Sequence, residues 1–393
     1  MTLQNAINTQ IKNAQQTAFG ELSTANLCPQ CLIHFPYNLN TDIVTTSVIG
    51  SGSVTHSGQF ALVESGSATS SSGTIKSNRI LEYHPGMGGL CRFTAIFGTG
   101  TEDNTQIAGI GSTTDGFFFG YNGSSFGICR RVGSTDHWTA QSSWSDDVMD
   151  GSGKSGMMLN PQNGNVYQIR YQWLGFGAIT FWIEDQSTGI FVKVHEISYA
   201  NQNTDTSVNN PSFPFYAYSG NGLSNSTSIL IKIPSIAMFV EGSINNIYHT
   251  RNAKDNEKTI SGATETNILT IRNKSIYQSV TNLVDIQPDF ISIAVDGTKN
   301  AVIRFYINAT LGGSPSYTDI STNKSVVDYD TAGTTVSNGT LVASIPISKT
   351  GNAFITFSDY NFILSPGQTF TVSALSSAGA DVYIGLSWQE RFS

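Results

Sequence analysis

Two cysteines three residues apart, Cys28 and Cys31, have the spacing of a redox pair or of half a zinc site. A zinc site needs a second pair of cysteine or histidine ligands at a similar spacing. The other cysteines, Cys91 and Cys129, are too far apart in the sequence to supply one. A redox role would need a neighbouring strand–helix–strand pattern, which the sequence lacks. Ordinary packed thiols are therefore favoured, and the sequence predicts no metal site and no cofactor.

Three aspartates, Asp146, Asp147 and Asp150, lie close together just before a glycine. Calcium prefers clustered oxygen ligands of this kind, although the spacing is not that of an EF-hand. An acidic surface loop is the more common explanation for such a cluster. Calcium binding therefore stays open as an alternative.

No pattern of catalytic residues is visible. The six histidines are scattered, and none lies in an HExxH pair or beside a nucleophile motif. Gly-x-Ser-x-Gly, Walker and dinucleotide-binding patterns are absent as well. Glycoside hydrolysis would require two carboxyl groups that face each other across a cleft, which only a structure can test. The sequence predicts no catalytic residue and a protein that is not an enzyme.

Tryptophan side chains are the best candidates for a binding surface, because they can stack on sugar rings. Trp173 and Trp182 lie within strand patterns, which is typical of core residues. Trp138 and Trp144 lie in a polar stretch and are predicted to be exposed binding or contact residues.

The composition excludes several classes of protein. The 393 residues include 20 Lys and Arg against 28 Asp and Glu, so the net charge is −8, and charged residues make up only 12%. An acidic chain with few, scattered cations is not expected to bind nucleic acid through the phosphate backbone. No apolar run reaches the roughly 18 residues that a membrane span requires. The N-terminus lacks the pattern of a secretory signal.

Two different periodicities divide the chain. Apolar residues recur every four positions over residues 1–22, which predicts a helix whose single apolar stripe must dock on its own body or on a neighbouring subunit. From about residue 41, short apolar runs are separated by Gly, Ser and Asn, a pattern typical of sandwiches and barrels. The run Phe117–Phe119 predicts a strand that is buried on both faces.

Turn residues mark out the strands. Residues 166–173 and 178–184 are predicted to form a hairpin, with 190–197 as a third strand. Strands at 290–295 and 301–307 flank Asp296-Gly297, which predicts another hairpin. A last hairpin is predicted around Ala378-Gly379, with period-two alternation on both sides.

The fold predicted from these patterns is all-β. It has an N-terminal helical arm over 1–40, a jelly-roll-like or concanavalin-like β-sandwich over 41–250, and a smaller C-terminal β-sandwich over 259–393. Residues 251–258 hold five charges in eight positions and are predicted to be a solvated linker.

Several stretches resemble structural proteins of the virions of large double-stranded DNA viruses and tailed phages. These are residues 79–94, 109–111, 115–123, 126–127, 169–175, 199–201, 308–313, 365–367 and 387–390. The resemblance covers most of 40–393 and implies a capsid, vertex or fibre component, with no catalytic residues to carry over. It implies localisation in the virion, with copies of the chain (a homo-oligomer) and other virion proteins as partners.

The sequence analysis thus predicts a non-enzymatic virion structural protein that acts by self-assembly. The alternative is a carbohydrate-binding or receptor-binding module on the virion surface, with a host surface glycan as a further partner. We expect residues 1–27 to contact a neighbouring subunit.

Overall fold

The computed structural model describes residues 24–243, 250–357, 360 and 363–392. Within these ranges the chain is built from β-strands, with one short 3-10 helix at Gln141–Ser143. The all-β prediction is therefore confirmed. The helix predicted over 1–22 lies outside the described residues. No helix in the described ranges has the length and apolar character needed to cross a lipid bilayer.

The chain divides into two compact units. The first contains residues 24–41, 45–77 and 83–243, and the second contains 42–44, 78–82 and the described residues from 250 onwards. Two short segments of the N-terminal part therefore belong to the second unit. The prediction from sequence, in contrast, places all of 41–250 in one domain.

The strands up to residue 243 are β1 (Leu27–His34), β2 (Val44–Ile49), β3 (Ser53–Ser57), β4 (Phe60–Glu64), β5 (Ser72–Leu81), β6 (Gly88–Ala95), β7 (Asn104–Gly111), β8 (Gly116–Asn122), β9 (Ser125–Val132), β10 (Thr135–Ala140), β11 (Asn165–Tyr171), β12 (Ile179–Glu184), β13 (Phe191–Ile197), β14 (Phe213–Asn221), β15 (Leu230–Ile233) and β16 (Ser235–Glu241).

Two large antiparallel sheets and a small one contain these strands. The six-stranded sheet has the order β1-β16-β6-β11-β12-β13, and the seven-stranded sheet has the order β10-β9-β8-β7-β14-β5-β2. A three-stranded sheet has the order β15-β4-β3. The predicted hairpin at 166–184 is confirmed as β11–β12, and β13 pairs with β12 as the third strand.

Aromatic side chains join the two large sheets. The Phe119 ring of β8 lies 4.8 Å from the Tyr167 ring of β11, and the Phe117 ring lies 5.7 Å from the Tyr171 ring. Such tilted and edge-on ring contacts add specific packing energy to the burial of large apolar surfaces. Phe117, Phe118 and Phe119 are all fully buried, which confirms the prediction for this run.

The predicted N-terminal arm over 1–40 is too long at its C-terminal end. Strand β1 pairs antiparallel with β16 and buries Cys31 and Ile33. Residues 27–34 are therefore an integral strand of the six-stranded sheet, because alternate side chains of this segment are apolar and complete its core.

The strands from residue 250 onwards are β17 (Thr250–Ile260), β18 (Thr266–Asn273), β19 (Ile276–Tyr277), β20 (Val280–Thr281), β21 (Asp285–Gly297), β22 (Ala301–Ile307), β23 (Thr310–Leu311), β24 (Thr318–Asp319), β25 (Val327–Asp330), β26 (Val336–Ser337), β27 (Thr340–Ile347), β28 (Asn352–Thr356), β29 (Thr369–Ser376) and β30 (Ala380–Arg391).

The second unit contains a four-stranded and a six-stranded sheet around one core. Their orders are β17-β30-β21-β28 and β24-β25-β18-β29-β22-β27. Both contribute to the apolar core, for example with Val382 and Trp388 from β30 and Phe370 and Val372 from β29.

Residues 251–258, predicted to be a solvated linker, lie inside the edge strand β17. Their exposure alternates, so charged side chains such as Asp255 and Glu257 point to solvent while the intervening side chains are half-buried. On the inner side, Lys258 Nζ donates to the carbonyls of Thr331 and Gly333 at 3.0 and 2.8 Å. The high charge therefore reflects an exposed strand face and not a linker.

Two predicted hairpins are wrong in their pairing. Strand β21 pairs with β28 and β30, whereas β22 pairs with β27 and β29, so the strands around Asp296-Gly297 lie in different sheets. Likewise β29 and β30, on either side of Ala378-Gly379, lie in the six-stranded and four-stranded sheets. Each turn connects two layers of the sandwich, because both of its strands have an apolar face for the same core.

Candidate binding cleft

Two edge strands of the first unit border a polar cleft. Strand β10 ends the seven-stranded sheet, and β13 ends the six-stranded sheet. The cleft has two parts, of about 640 and 390 Å³, which share Arg130 and His137. We call it the edge cleft. Its lining side chains are mostly polar, and they are Arg130, Val132, His137, Trp138, Thr139, His195, Glu196, Ile197, Ser198, Tyr199, Gln202, Thr204, Asp205, Thr206 and Asn209.

A tight turn positions the β10 wall. Gly133 and Ser134 both have positive φ, at 54° and 66°, and they connect β9 to β10. A two-residue turn of this kind fits the twist of paired strands. The resulting register places His137 opposite Arg130 and Trp138 opposite Cys129.

Arg130 is fixed at the centre of the cleft. Its Nη1 donates to the Ser207 carbonyl at 2.7 Å, and its guanidinium carbon lies 5.3 Å from the centre of the Tyr199 ring. The second contact is a cation–π interaction that holds the planar group against the ring. Among the described residues, the Ser207 carbonyl is the one protein acceptor that Arg130 uses. Since a guanidinium carries five N–H donors, others remain to bind a ligand.

The loop between β13 and β14 forms the floor and outer wall. It is tied down by Asp115 Oδ1, which accepts from the Asn209 N–H at 2.8 Å, and by the Trp173 indole, which donates to the Val208 carbonyl at 3.2 Å. The Ser207 N–H also donates to the Gly175 carbonyl at 2.9 Å. A loop held at several points loses little conformational entropy when a ligand binds.

The β13 wall carries a neutral imidazole and an ion pair. The Ser145 N–H donates to His195 Nδ1 at 3.1 Å, which leaves the ring proton on Nε2. Burial lowers the pKa of His195, although the carboxylates of Asp146 and Glu196 oppose the shift. Lys193 Nζ lies 3.0 Å from Asp146 and 2.9 Å from Glu196, so it fixes both acids.

Two carboxyl groups, Glu196 and Asp205, line the cleft. Glu196 accepts from Lys193 and from the Ser198 hydroxyl at 3.1 Å, so it is placed as a hydrogen-bond acceptor. A glycosidase pair needs one carboxyl that holds a proton, usually in an apolar setting. Glu196 is paired with Lys193 and Asp205 is exposed, so neither carboxyl group lies in an apolar setting.

Of the two tryptophans predicted to bind, the structure brings only Trp138 to the cleft. Trp138 lies in β10 and not in a loop. It borders the smaller part of the cleft, and it packs on a small apolar cluster that includes Phe118 and Cys129. Its role as a binding residue stays a prediction.

The prediction that Trp144 is exposed is wrong. Trp144 is 5% exposed, and its ring lies 6.2 Å from Phe119 and 6.3 Å from Phe126 in the core. The polar residues around it belong to the 3-10 turn, whereas the indole itself points inward because it fills space beside these rings.

Asp147 and Asp150 of the acidic cluster accept hydrogen bonds from neighbouring groups of the protein. Asp147 accepts the N–H groups of Met149 and Ser155 at 2.9 and 2.8 Å, and Asp150 accepts from Ser152. In the described part of the chain, no three His, Cys, Asp or Glu side chains are grouped so that they could hold a metal ion. All four cysteines are free thiols.

Arg130, Tyr199 and Asp205 were not identified from the sequence. Residues 198–212 form a long connection between two strands, and long ordered loops are often functional. The length of this connection is the one feature of the sequence that points to a functional loop here. His137 and His195 are far apart in the sequence, and only the meeting of the two sheet edges brings them together.

Comparison with known proteins gives structural similarity only. No protein-family model matches the chain, and no curated protein does. Among solved structures, arcelin-5, a lectin-like defense protein from Phaseolus vulgaris, is 9% identical with a TM-score of 0.34, over 55% of this chain and 99% of its own. A lectin from Bauhinia forficata in complex with GalNAc is 11% identical with a TM-score of 0.33, over 54% and 99%.

A glycoside hydrolase family protein from Mycobacterium thermorestibile is 11% identical with a TM-score of 0.36, over 53% of this chain and 100% of its own. At these sequence identities and TM-scores, no residue role and no ligand is transferred from the three proteins to this chain.

Proposed function

We propose that the protein is a non-enzymatic glycan-binding protein and that the edge cleft is its binding site. The observation that carries the proposal is the fixed Arg130, which is set among acceptors and hydroxyls at the centre of a polar cleft. Sugar hydroxyls donate and accept at the same time, so a site for them needs both kinds of group. Arg130 supplies donors, Asp205 supplies acceptors, and Thr206 and Asn209 supply both.

Size and charge support the same ligand class. A volume of about 640 Å³ lies within the range of small-molecule sites. The cleft combines the cation of Arg130 with the anion of Asp205, while Glu196 is already paired with Lys193. Neither sign of charge dominates, which favours a neutral polyhydroxylated ligand over a nucleotide or a polyanion.

The first test is a glycan array with the full chain, followed by calorimetry on the strongest glycan. We expect Asp205→Asn to weaken that binding at least tenfold, because an amide cannot replace the charged acceptor. Asp319→Asn, on the second unit, is the matched control and should leave the affinity unchanged. Absence of any retained glycan, or equal affinity of Asp205→Asn and the unmodified protein, would contradict the proposal.

Trp138 gives a second variant for the same assay. Trp138→Ala should weaken binding, since the indole borders the smaller part of the cleft. Trp182→Ala is the control, because Trp182 is also half-buried but does not line the cleft. A similar loss in both variants would show a general effect of removing an indole.

A further inference from the structure

The four-stranded sheet of the second unit has one face in the core and one face exposed. Along β30, Val382 and Ile384 are buried, whereas Tyr383 between them is 39% exposed. On the edge strand β28, Phe354 is 66% exposed. Large exposed aromatic side chains close together on a monomer surface indicate a contact site.

The strand register arranges this face in rows. One row across the sheet contains Asp255, Gly385, Ser292 and Phe354, as directly opposite partners. Tyr383 belongs to the next row. Opposite side chains on neighbouring strands are about 5 Å apart, so the four residues span the width of the sheet.

Between the aromatic side chains lies a hollow of about 520 Å³. Its floor is made by Ser292, Ala294 and Gly385, and Phe354 and Tyr383 form its walls. A Cβ atom at Gly385 would lie 2.9 Å from Ser292 Oγ, so the absence of a side chain at this glycine leaves space in the hollow. We call this hollow the aromatic trough.

The charge around the aromatic trough is negative. The Asp255 side chain is 92% exposed, and the ammonium group closest to it, Lys254 Nζ, is 3.8 Å away. The carboxylate of Glu257 raises the pKa of Tyr383, and Asp381 and Asp296 contribute to the same shift. Three carboxylates therefore act on Tyr383, and a fourth, that of Asp255, lines the same hollow.

We propose that the aromatic trough binds the side chain of a lysine or arginine presented by another protein. Phe354 and Tyr383 both line the hollow, and aromatic rings attract a cation more strongly when it loses water. The carboxylate of Asp255 at the end of the row would complete the charge pairing. A symmetric contact in which this face meets the same face of a second copy is disfavoured, since it would bring like charges together.

The test uses the full chain labelled with ¹⁵N and an acetylated Gly-Gly-Lys-Gly-Gly amide peptide. We expect the amide signals of Ala294 and Gly385 to shift on titration. The same peptide with norleucine has a similar alkyl chain without the charge, and it should cause no shift. Raising the salt to about 0.5 M should weaken binding severalfold, because exposed charges are screened.

Variants separate the contribution of the aromatic rings to peptide binding from that of the carboxylates. Phe354→Ala should lower the affinity for the lysine peptide at least fivefold. The double variant Asp255→Asn/Glu257→Gln should lower it at least tenfold. The matched control is Tyr37→Ala, which removes a side chain that is 89% exposed on the first unit. All these positions are exposed, so the fold should tolerate the changes.

Several outcomes would overturn the proposal. Equal shifts with the norleucine peptide would indicate an apolar docking face, and shifts with glucose at the same amides would indicate a second sugar site. Shifts that depend on protein concentration without peptide would indicate self-association. The proposal is independent of the edge cleft, since Asp205→Asn should leave peptide binding unchanged.

Discussion

At the scale of single residues, two buried carboxyl groups of the second unit stand out. Burial raises the pKa of Glu82 from 4.5 to about 8, with Asp285 adding to the rise and Arg391 opposing it. Burial also raises the pKa of Asp285, to about 7, against the charges of Arg391 and Arg79 and a hydrogen bond from Ser365. Buried charges are costly, so these groups hold protons to a higher pH than they would in the unfolded chain.

The sign of the resulting pH dependence follows from proton binding. Between about pH 4.5 and pH 8 the folded state binds more protons than the unfolded state at Glu82, so the free energy of unfolding falls as the pH rises. The fall is at most about 1.4 kcal/mol per pH unit for each titrating group. We expect the urea midpoint to be lower at pH 8 than at pH 5.5.

Glu82→Gln should flatten this dependence, and Glu184→Gln on a half-exposed strand is the control. His195 contributes with the opposite sign, because its pKa is lowered. The measurement therefore compares the slope of the free energy of unfolding against pH in Glu82→Gln with the slope in the unmodified protein. An unchanged slope in Glu82→Gln would contradict the assignment.

At the scale of elements, the turn between β9 and β10 decides which residues face the edge cleft. Gly133 has φ of 54°, and a Cβ there would meet only Asn209 Nδ2, at 3.7 Å. The cost of a side chain at this position is therefore conformational rather than steric.

We expect Gly133→Ala to lower the free energy of unfolding by about 1–2 kcal/mol, because a residue with a Cβ atom is strained in left-handed backbone. Among the described strands, β10 pairs only with β9, so amide hydrogen exchange of its residues should also accelerate. Gly58→Ala is the control, since Gly58 has φ of 60° and open space around it in the β3–β4 turn. Faster exchange of β10 in both variants, or in neither, would count against this role of the turn.

At the scale of the whole molecule, the role in a virion and the assembly into a homo-oligomer stay predictions from sequence resemblance. Size-exclusion chromatography with light scattering tests the assembly. A stable trimer or pentamer is the expected result for a symmetric site in a particle. A monomer at micromolar concentration would contradict it, and removal of residues 1–27 would test whether that segment holds the copies together.

The sequence by itself determined the all-β class and the positions and buried faces of several strands. Period-two alternation, as in Phe370, Val372 and Ala374, is a local property, because neighbouring side chains of any strand point to opposite faces. A continuous apolar run is local information as well, and it correctly predicts the three phenylalanines of β8 as buried on both faces of the sheet.

Only the tertiary structure decided which strands pair and which residues meet. The alternating strands on either side of Ala378-Gly379 are compatible both with one sheet and with two facing sheets, and the common core selects the second. Likewise Arg130 and Asp205 share a cleft because two sheet edges and a fixed loop converge there. Pairing and convergence depend on contacts between distant parts of the chain, which no local pattern encodes.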